Sequence, residues 1–138
     1  MVTVTAANAN EQLVLDFFAV LSSGDLEKLR AFYHDKSTWE PKVRAISGTS
    51  KHVGMDIIDK FLAPVRGMFE PGDPKVQINT MFSAGPFVCV ESLSTGTTLD
   101  GKLYENDYCW VFEVSNGKID AMREYMDSHY IANLFGMD

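Results

Sequence analysis

A carboxylic acid set among large apolar side chains is the clearest chemical signal in this sequence. Glu124 stands between Met122 and Met126 at alternate positions of a strand-like run, Lys118 to Asp127. The preceding run, Leu103 to Val114, carries Tyr104, Asn106, Tyr108, Trp110 and Phe112 at the same alternate spacing. Successive strand side chains point to opposite faces, so each of these sets occupies one face of its own strand. If the two sets meet, one carboxyl and one amide share an aromatic and apolar wall. Poor solvation there raises the carboxyl pKa toward neutrality, where the group can donate and accept protons. The plainer alternative is that Glu124 hydrogen-bonds Tyr108 or pairs with an arginine and does no chemistry.

The turn between the runs decides which side chains meet. Asn116-Gly117 can form a two-residue turn, which opposes Asn106 to Asp127 and Tyr108 to Tyr125. Ser115-Asn116-Gly117 can instead form a three-residue loop with Gly117 left-handed, opposing Tyr108 to Glu124, Asn106 to Met126 and Trp110 to Met122. We favour the second, because it gathers the apolar residues with Glu124. It sends Cys109, Val111, Ile119, Arg123 and Tyr125 to the other face.

Other residues carry weaker signals. Trp39, on an expected strand from Ser37 to Val43, would line a pocket, and Glu91, between Val90 and Ser92, is a candidate second acid. His34, His52 and His129 read as exposed, His129 with the further option of an acid or base at a pocket mouth. No histidine pair has metal-ligand spacing, and no calcium loop, phosphate loop or nucleophile motif occurs, so neither metal nor cofactor is expected. Cys89 and Cys109 lack a CxxC spacing and read as buried thiols.

The elements that must position these groups fall into two halves. After an arm over residues 1–9, expected to be flexible, Asn10 is placed to cap a helix running to about Ser22, with Phe17 and Phe18 on its apolar side. Gly24 ends it, and Asp25 caps a second helix. Residues 48–54 read as loop, and Met55 to Met68 as a helix broken or kinked at Pro64. From Val76 onward four β-type runs follow with Gly-bearing turns, and Tyr130 to Phe135 reads as a last helical turn. Helices first and a strand meander afterwards indicate one α+β domain over 1–138, its helices on one face of a curved sheet.

Composition narrows the partners. A formal charge of −7 with no basic run argues against nucleic acid and anionic membranes. The absence of a long apolar run and of a basic, apolar leader points to a cytoplasmic protein.

Several segments together resemble the superfamily of small α+β cone domains that includes nuclear transport factor 2, ketosteroid isomerase and the SnoaL-like cyclases. They are Phe17 to Leu26, Phe32 to Glu40, Gly101 to Asn106, Val111 to Val114, Gly117 to Ile119 and Arg123 to Asp127. The resemblance implies a cone-shaped fold with an internal hydrophobic pocket and a homodimer formed through the outer sheet face. Compared with ketosteroid isomerase, the oxyanion-hole tyrosine falls on Phe17, which has no hydroxyl. Compared with limonene-epoxide hydrolase, Glu124 matches one catalytic acid, while the other catalytic positions fall near Glu91, Leu93, Trp39 and Pro41. The phenazine-biosynthesis proteins of this fold match most closely, through Glu105-Asn106-Asp107-Tyr108 and Arg123-Glu124-Tyr125-Met126-Asp127, and imply that Glu124 is the acid.

The expected activity is therefore cofactor-free proton transfer (isomerisation, cyclisation or dehydration) on a small hydrophobic polyketide, terpenoid or aromatic. Glu124, Asn106 and Tyr108 would be catalytic. Trp39, Glu91, Leu93, Tyr104, Trp110, Met122, Met126 and Phe17 would contact substrate. An epoxide hydrolase or a non-catalytic ligand-binding or dimeric interaction module are the alternatives.

Overall fold

The computed structural model describes residues 4–44 and 51–136. Residues 1–3 of the expected arm and 48–50 of the expected loop lie outside them. Helix α1 spans Ala9–Ser23, beginning two residues earlier than its sequence suggests. Asn8, not Asn10, is the cap: its side chain accepts from the Glu11 N–H at 2.9 Å, while the Glu11 carboxylate accepts from the Ala7 N–H. Such a reciprocal arrangement satisfies donors that a helix start otherwise leaves free. Gly24 closes the helix with φ of 81°, a left-handed conformation suited to glycine. The short α2 (Leu26–Leu29), capped by Asp25, continues into a 3-10 turn, Arg30–Phe32.

Strand β1 (Thr38–Pro41) follows, and β2 (His52–Val53) pairs with it antiparallel in a stretch expected to be loop. The helix expected from Met55 to Met68 is a π turn, Ile57–Leu62, followed by α3, Ala63–Arg66. Pro64 has no N–H to donate, and the preceding ladder is widened, with the Ala63 N–H bonding the Ile58 carbonyl five residues back. Strands β3 (Lys75–Ala84), β4 (Phe87–Thr97), β5 (Leu103–Ser115) and β6 (Lys118–Met126) form the meander, and α4 (Ser128–Leu134) ends the described chain, capped by Asp127.

The six strands make one sheet in the order β2-β1-β6-β5-β4-β3. All pairings are antiparallel except β1 with β6, so the sheet is mixed. Its inner face packs on α1 and the 55–66 segment. Phe17 lies at the centre of that core, fully buried, with its ring edge-on or tilted against Phe18, Phe32, Tyr33, Trp39 and Phe112. A smaller cluster of Phe69, Tyr104 and Ile131 sits beside it, and Tyr108 packs against both.

The β5–β6 turn differs from the expected one. Asn116 (φ 51°) and Gly117 (φ 72°) are both left-handed, which makes a two-residue turn opposing Ser115 to Lys118. The pairing then shifts: Val114 faces Ile119 but Glu113 faces Ala121, so Asp120 is an extra residue on β6. Beyond it Phe112 faces Met122, Trp110 faces Glu124 and Tyr108 faces Met126. Each expected partner is displaced by two residues, which preserves the face. Ile119, expected on the outer face, precedes the bulge and is buried in the core. Asp120 is held by Ser115 Oγ at 2.6 Å and by His34 Nε2 at 2.8 Å.

These two contacts hold the bulge. Asp120→Ala should lower stability by about 1 kcal/mol or more in urea unfolding, and Ser115→Ala, which keeps the His34 contact, by less. Unchanged midpoints would show that the bulge needs neither contact.

Candidate active site

A cavity of about 320 Å³ opens between the inner sheet face, the 55–69 segment and α4. Apolar side chains dominate its wall: Val43, Phe61, Met68, Phe69, Met126 and Ile131 among them. Four titratable groups interrupt that wall, namely His52, Tyr104, Tyr108 and Glu124.

Glu124 is only 6% exposed. Burial raises its pKa to about 8, so at neutral pH it is mostly the uncharged acid. The Trp39 indole N–H lies close enough to favour the carboxylate, a smaller effect that works against burial. That N–H completes no hydrogen bond, although Trp39 is 2% exposed. A buried polar hydrogen without a partner is costly, so the Trp39 N–H and the carboxyl next to it form a polar spot poised for an acceptor.

Asn106 anchors a second polar group. Its Nδ2 donates to the Asp127 carbonyl at 3.3 Å and to the Tyr104 hydroxyl at 3.2 Å, and the Tyr104 and Tyr108 hydroxyls are in close hydrogen-bond contact. With Tyr104 accepting from Asn106 and donating to Tyr108, the Tyr108 proton is left free for a ligand oxygen. Burial raises both phenols, Tyr104 to about 12, so both remain donors. The Tyr108 ring stacks on Trp110, centroids 5.2 Å apart, which holds its orientation. Nearby, Arg66 donates to the carbonyls of Gly72 and Pro74, and its charge partly offsets the rise at Tyr108.

Of the residues expected to form the site, Glu124, Tyr104, Tyr108 and Met126 line this cavity. Asn106 is buried directly behind it. Trp39, Trp110 and Met122 belong to the core that supports the wall, and Phe17 lies deeper still, in van der Waals reach of Trp39 rather than of the cavity. Glu91 and Leu93 do not belong to the site. On β4 it is Val88, Val90, Ser92 and Ser94 that face inward, so the odd-numbered Glu91 and Leu93 face out, Glu91 exposed and Leu93 half-buried. His52 was read as exposed, yet it is part of the wall, with its ring stacked on Phe61 at 4.3 Å. Pairing between β1 and β2 brings it there, and no local periodicity signals such a pairing. The lining from Phe69 and Phe135 was likewise missed, because both lie in irregular turns outside the regular elements. Among the described residues, no cluster of His, Cys, Asp and Glu could hold a metal, and no helix is long and apolar enough to cross a membrane.

Residues 14–122 match the SnoaL-like domain. The chain belongs to this family. Solved structures agree on the fold of this SnoaL-like domain. TerC, crystallised with polyporic acid, is 21% identical and superposes with a TM-score of 0.79 over 92% of this chain and 98% of its own. PrhC from Penicillium brasilianum NBRC 6234 is 18% identical, with a TM-score of 0.80 over 93% and 86%. Bal32a, from a soil-derived mobile gene cassette, is 23% identical, with a TM-score of 0.76 over 91% and 95%. At such identities the likeness is one of fold. Among curated proteins no sequence matches the chain.

The buried acid makes stability depend on pH in a defined direction. Its folded pKa lies above the ordinary 4.5, so the folded chain holds the proton more tightly than the unfolded one. Stability from this group is complete below about pH 4.5, falls as pH rises, and is lost above about pH 8. The whole swing is on the order of 5 kcal/mol. Glu124→Gln should flatten the urea midpoint between pH 5 and 9 and be the more stable form at pH 9. A parallel decline in both proteins would mean the carboxyl is solvated.

Proposed function

We propose that this SnoaL-like domain is a cofactor-independent enzyme that moves a proton on a small hydrophobic molecule, in an isomerisation, cyclisation or dehydration. The observation that carries the reading is Glu124: a carboxyl kept uncharged by burial, on the wall of an apolar cavity, beside two hydroxyl donors. Such an acid can protonate a carbonyl or a departing hydroxyl, as pKa tuning by an apolar site allows. Tyr108, oriented by Tyr104 and Asn106, would donate to the oxygen on which negative charge develops. Met126, Met68 and Phe61 would hold the apolar body of the substrate. That TerC was crystallised with polyporic acid is consistent with a small-molecule pocket in this fold.

The opposite sheet face supports a homodimer. Phe82, Phe87 and Tyr125 stand there 59%, 45% and 42% exposed, a row of large side chains more typical of an interface than of open surface.

A substrate-independent test is hydrogen–deuterium exchange at the α-carbon of 2-tetralone in D2O, followed by proton NMR. The chain should accelerate exchange over buffer. Glu124→Gln should cut the acceleration by about 100-fold and Tyr108→Phe by about tenfold or more. Full exchange activity in Glu124→Gln would sink the assignment.

A further inference from the structure

Proton transfer between carbon and oxygen needs a group that takes the proton as well as one that gives it. At neutral pH three of the four titratable groups on the cavity wall are already protonated: Glu124, Tyr104 and Tyr108, each raised by burial. The fourth differs. His52 is shifted downward by burial, only partly offset by the charge of Asp56, so its imidazole is neutral and keeps one lone pair. Among the described residues its ring makes no side-chain hydrogen bond, and it is the one basic nitrogen on the wall.

Sheet register places His52 relative to the acid. His52 opposes Trp39, Trp39 opposes Met122, and Glu124 lies two residues further along β6, opposite Pro41. Paired residues share a face, so His52, Trp39, Met122 and Glu124 all project inward. Two strand spacings and two residue rises put the His52 and Glu124 backbones about 12 Å apart. Both side chains line the same cavity, so one small ligand lying along that wall can reach the two of them. Stacking on Phe61 restrains the ring, which spares a ligand the cost of ordering it.

We propose that His52 is a catalytic base on the same cavity wall as Glu124, and that the site takes ligands with an acidic C–H next to a carbonyl. The inference rests on the reading of Glu124 as the acid. In the step it describes, an imidazole nitrogen removes the α-proton. The C–H electron pair becomes the carbon–carbon double bond of the enol. The carbonyl π pair moves onto oxygen, which takes the proton of the Glu124 carboxyl. The site then holds an imidazolium and a carboxylate, and reversal after the imidazolium proton has exchanged for deuterium labels the α-carbon.

The 2-tetralone assay separates this inference from the reading beneath it. His52→Phe keeps an aromatic ring against Phe61 but has no nitrogen, and His52→Gln guards against a packing artefact in that variant. Both should lose tenfold or more of the exchange rate with thermal stability near that of the parent. The parent rate should rise with pH as the imidazole loses its proton, then decline as Glu124 ionises; the rising limb should vanish in both His52 variants. Loss of exchange in Glu124→Gln together with a full rate and an intact rising limb in the His52 variants would overturn His52 as the base and leave the acid standing. Full exchange in all three variants, or none in the parent while NMR shifts show tetralone in the cavity, would overturn both.

Discussion

On β6 the direction of every side chain past the bulge depends on one extra residue. The Asn116-Gly117 turn by itself sets a register in which Glu124 would oppose Cys109 and point out from the sheet. Asp120 interrupts that register, and the strand beyond it rotates by one residue. Met122, Glu124 and Met126 consequently face inward, and Arg123 and Tyr125 outward, where Arg123 meets Glu113 at 2.6 Å. The anchors of the bulge, Ser115 and His34, come from the hairpin and from the segment before β1. The site therefore depends on a contact well away from the cavity, and helix–sheet packing and chemistry share one geometric requirement.

That rotation places a carboxyl where hydrophobic burial alone would put a leucine. Its neighbours show how the fold tolerates it. The carboxyl sheds its charge instead of acquiring a cation, since the arginine beside it in sequence points to the other face. Behind it the Trp39 indole and the Tyr33 hydroxyl are both buried, the latter donating to Met122 Sδ at 3.5 Å. A buried polar spot of this kind carries a desolvation cost that an all-apolar wall would not.

How much of this was legible in the sequence varied with the range of the interaction that decides it. Alternation within a strand is local, so the inward set Tyr104, Asn106, Tyr108 and Trp110 could be read directly, as could the existence of the first helix, though not its cap. The faces of the hairpin came out as expected although neither expected register occurs, because a two-residue turn plus a one-residue bulge has the same parity as a three-residue loop. Ile119 shows the limit: it sits between turn and bulge, where the parity is still reversed. The resemblance to limonene-epoxide hydrolase puts Glu91 and Leu93 in the site, and the alternation of β4 overrules that placement. His52 was illegible for a different reason. A two-residue strand has no period, and what brings His52 to the wall is its pairing with Trp39 on β1.

The position of the cavity follows from the same division of labour. Phe17, Phe112, Ile119 and Met122 fill the interior between α1 and the sheet, where close packing leaves no room for a ligand. Past that core the helical cover is weaker: Pro64 interrupts regular α-helix, the π turn before it displaces Phe61 from an ideal helical stripe, and α4 closes only one side. The sheet continues beneath this thinner cover, carrying Tyr104, Tyr108, Glu124 and Met126 along the edge of that core. An apolar face that is curved, covered loosely and supplied with a few polar groups at its inner edge becomes a pocket by the ordinary rules of packing. Irregularity in the helical layer is thus as necessary to the site as the bulge in the sheet. A regular helix from Met55 to Met68 would extend the cover and fill the space that the Glu124 carboxyl now faces.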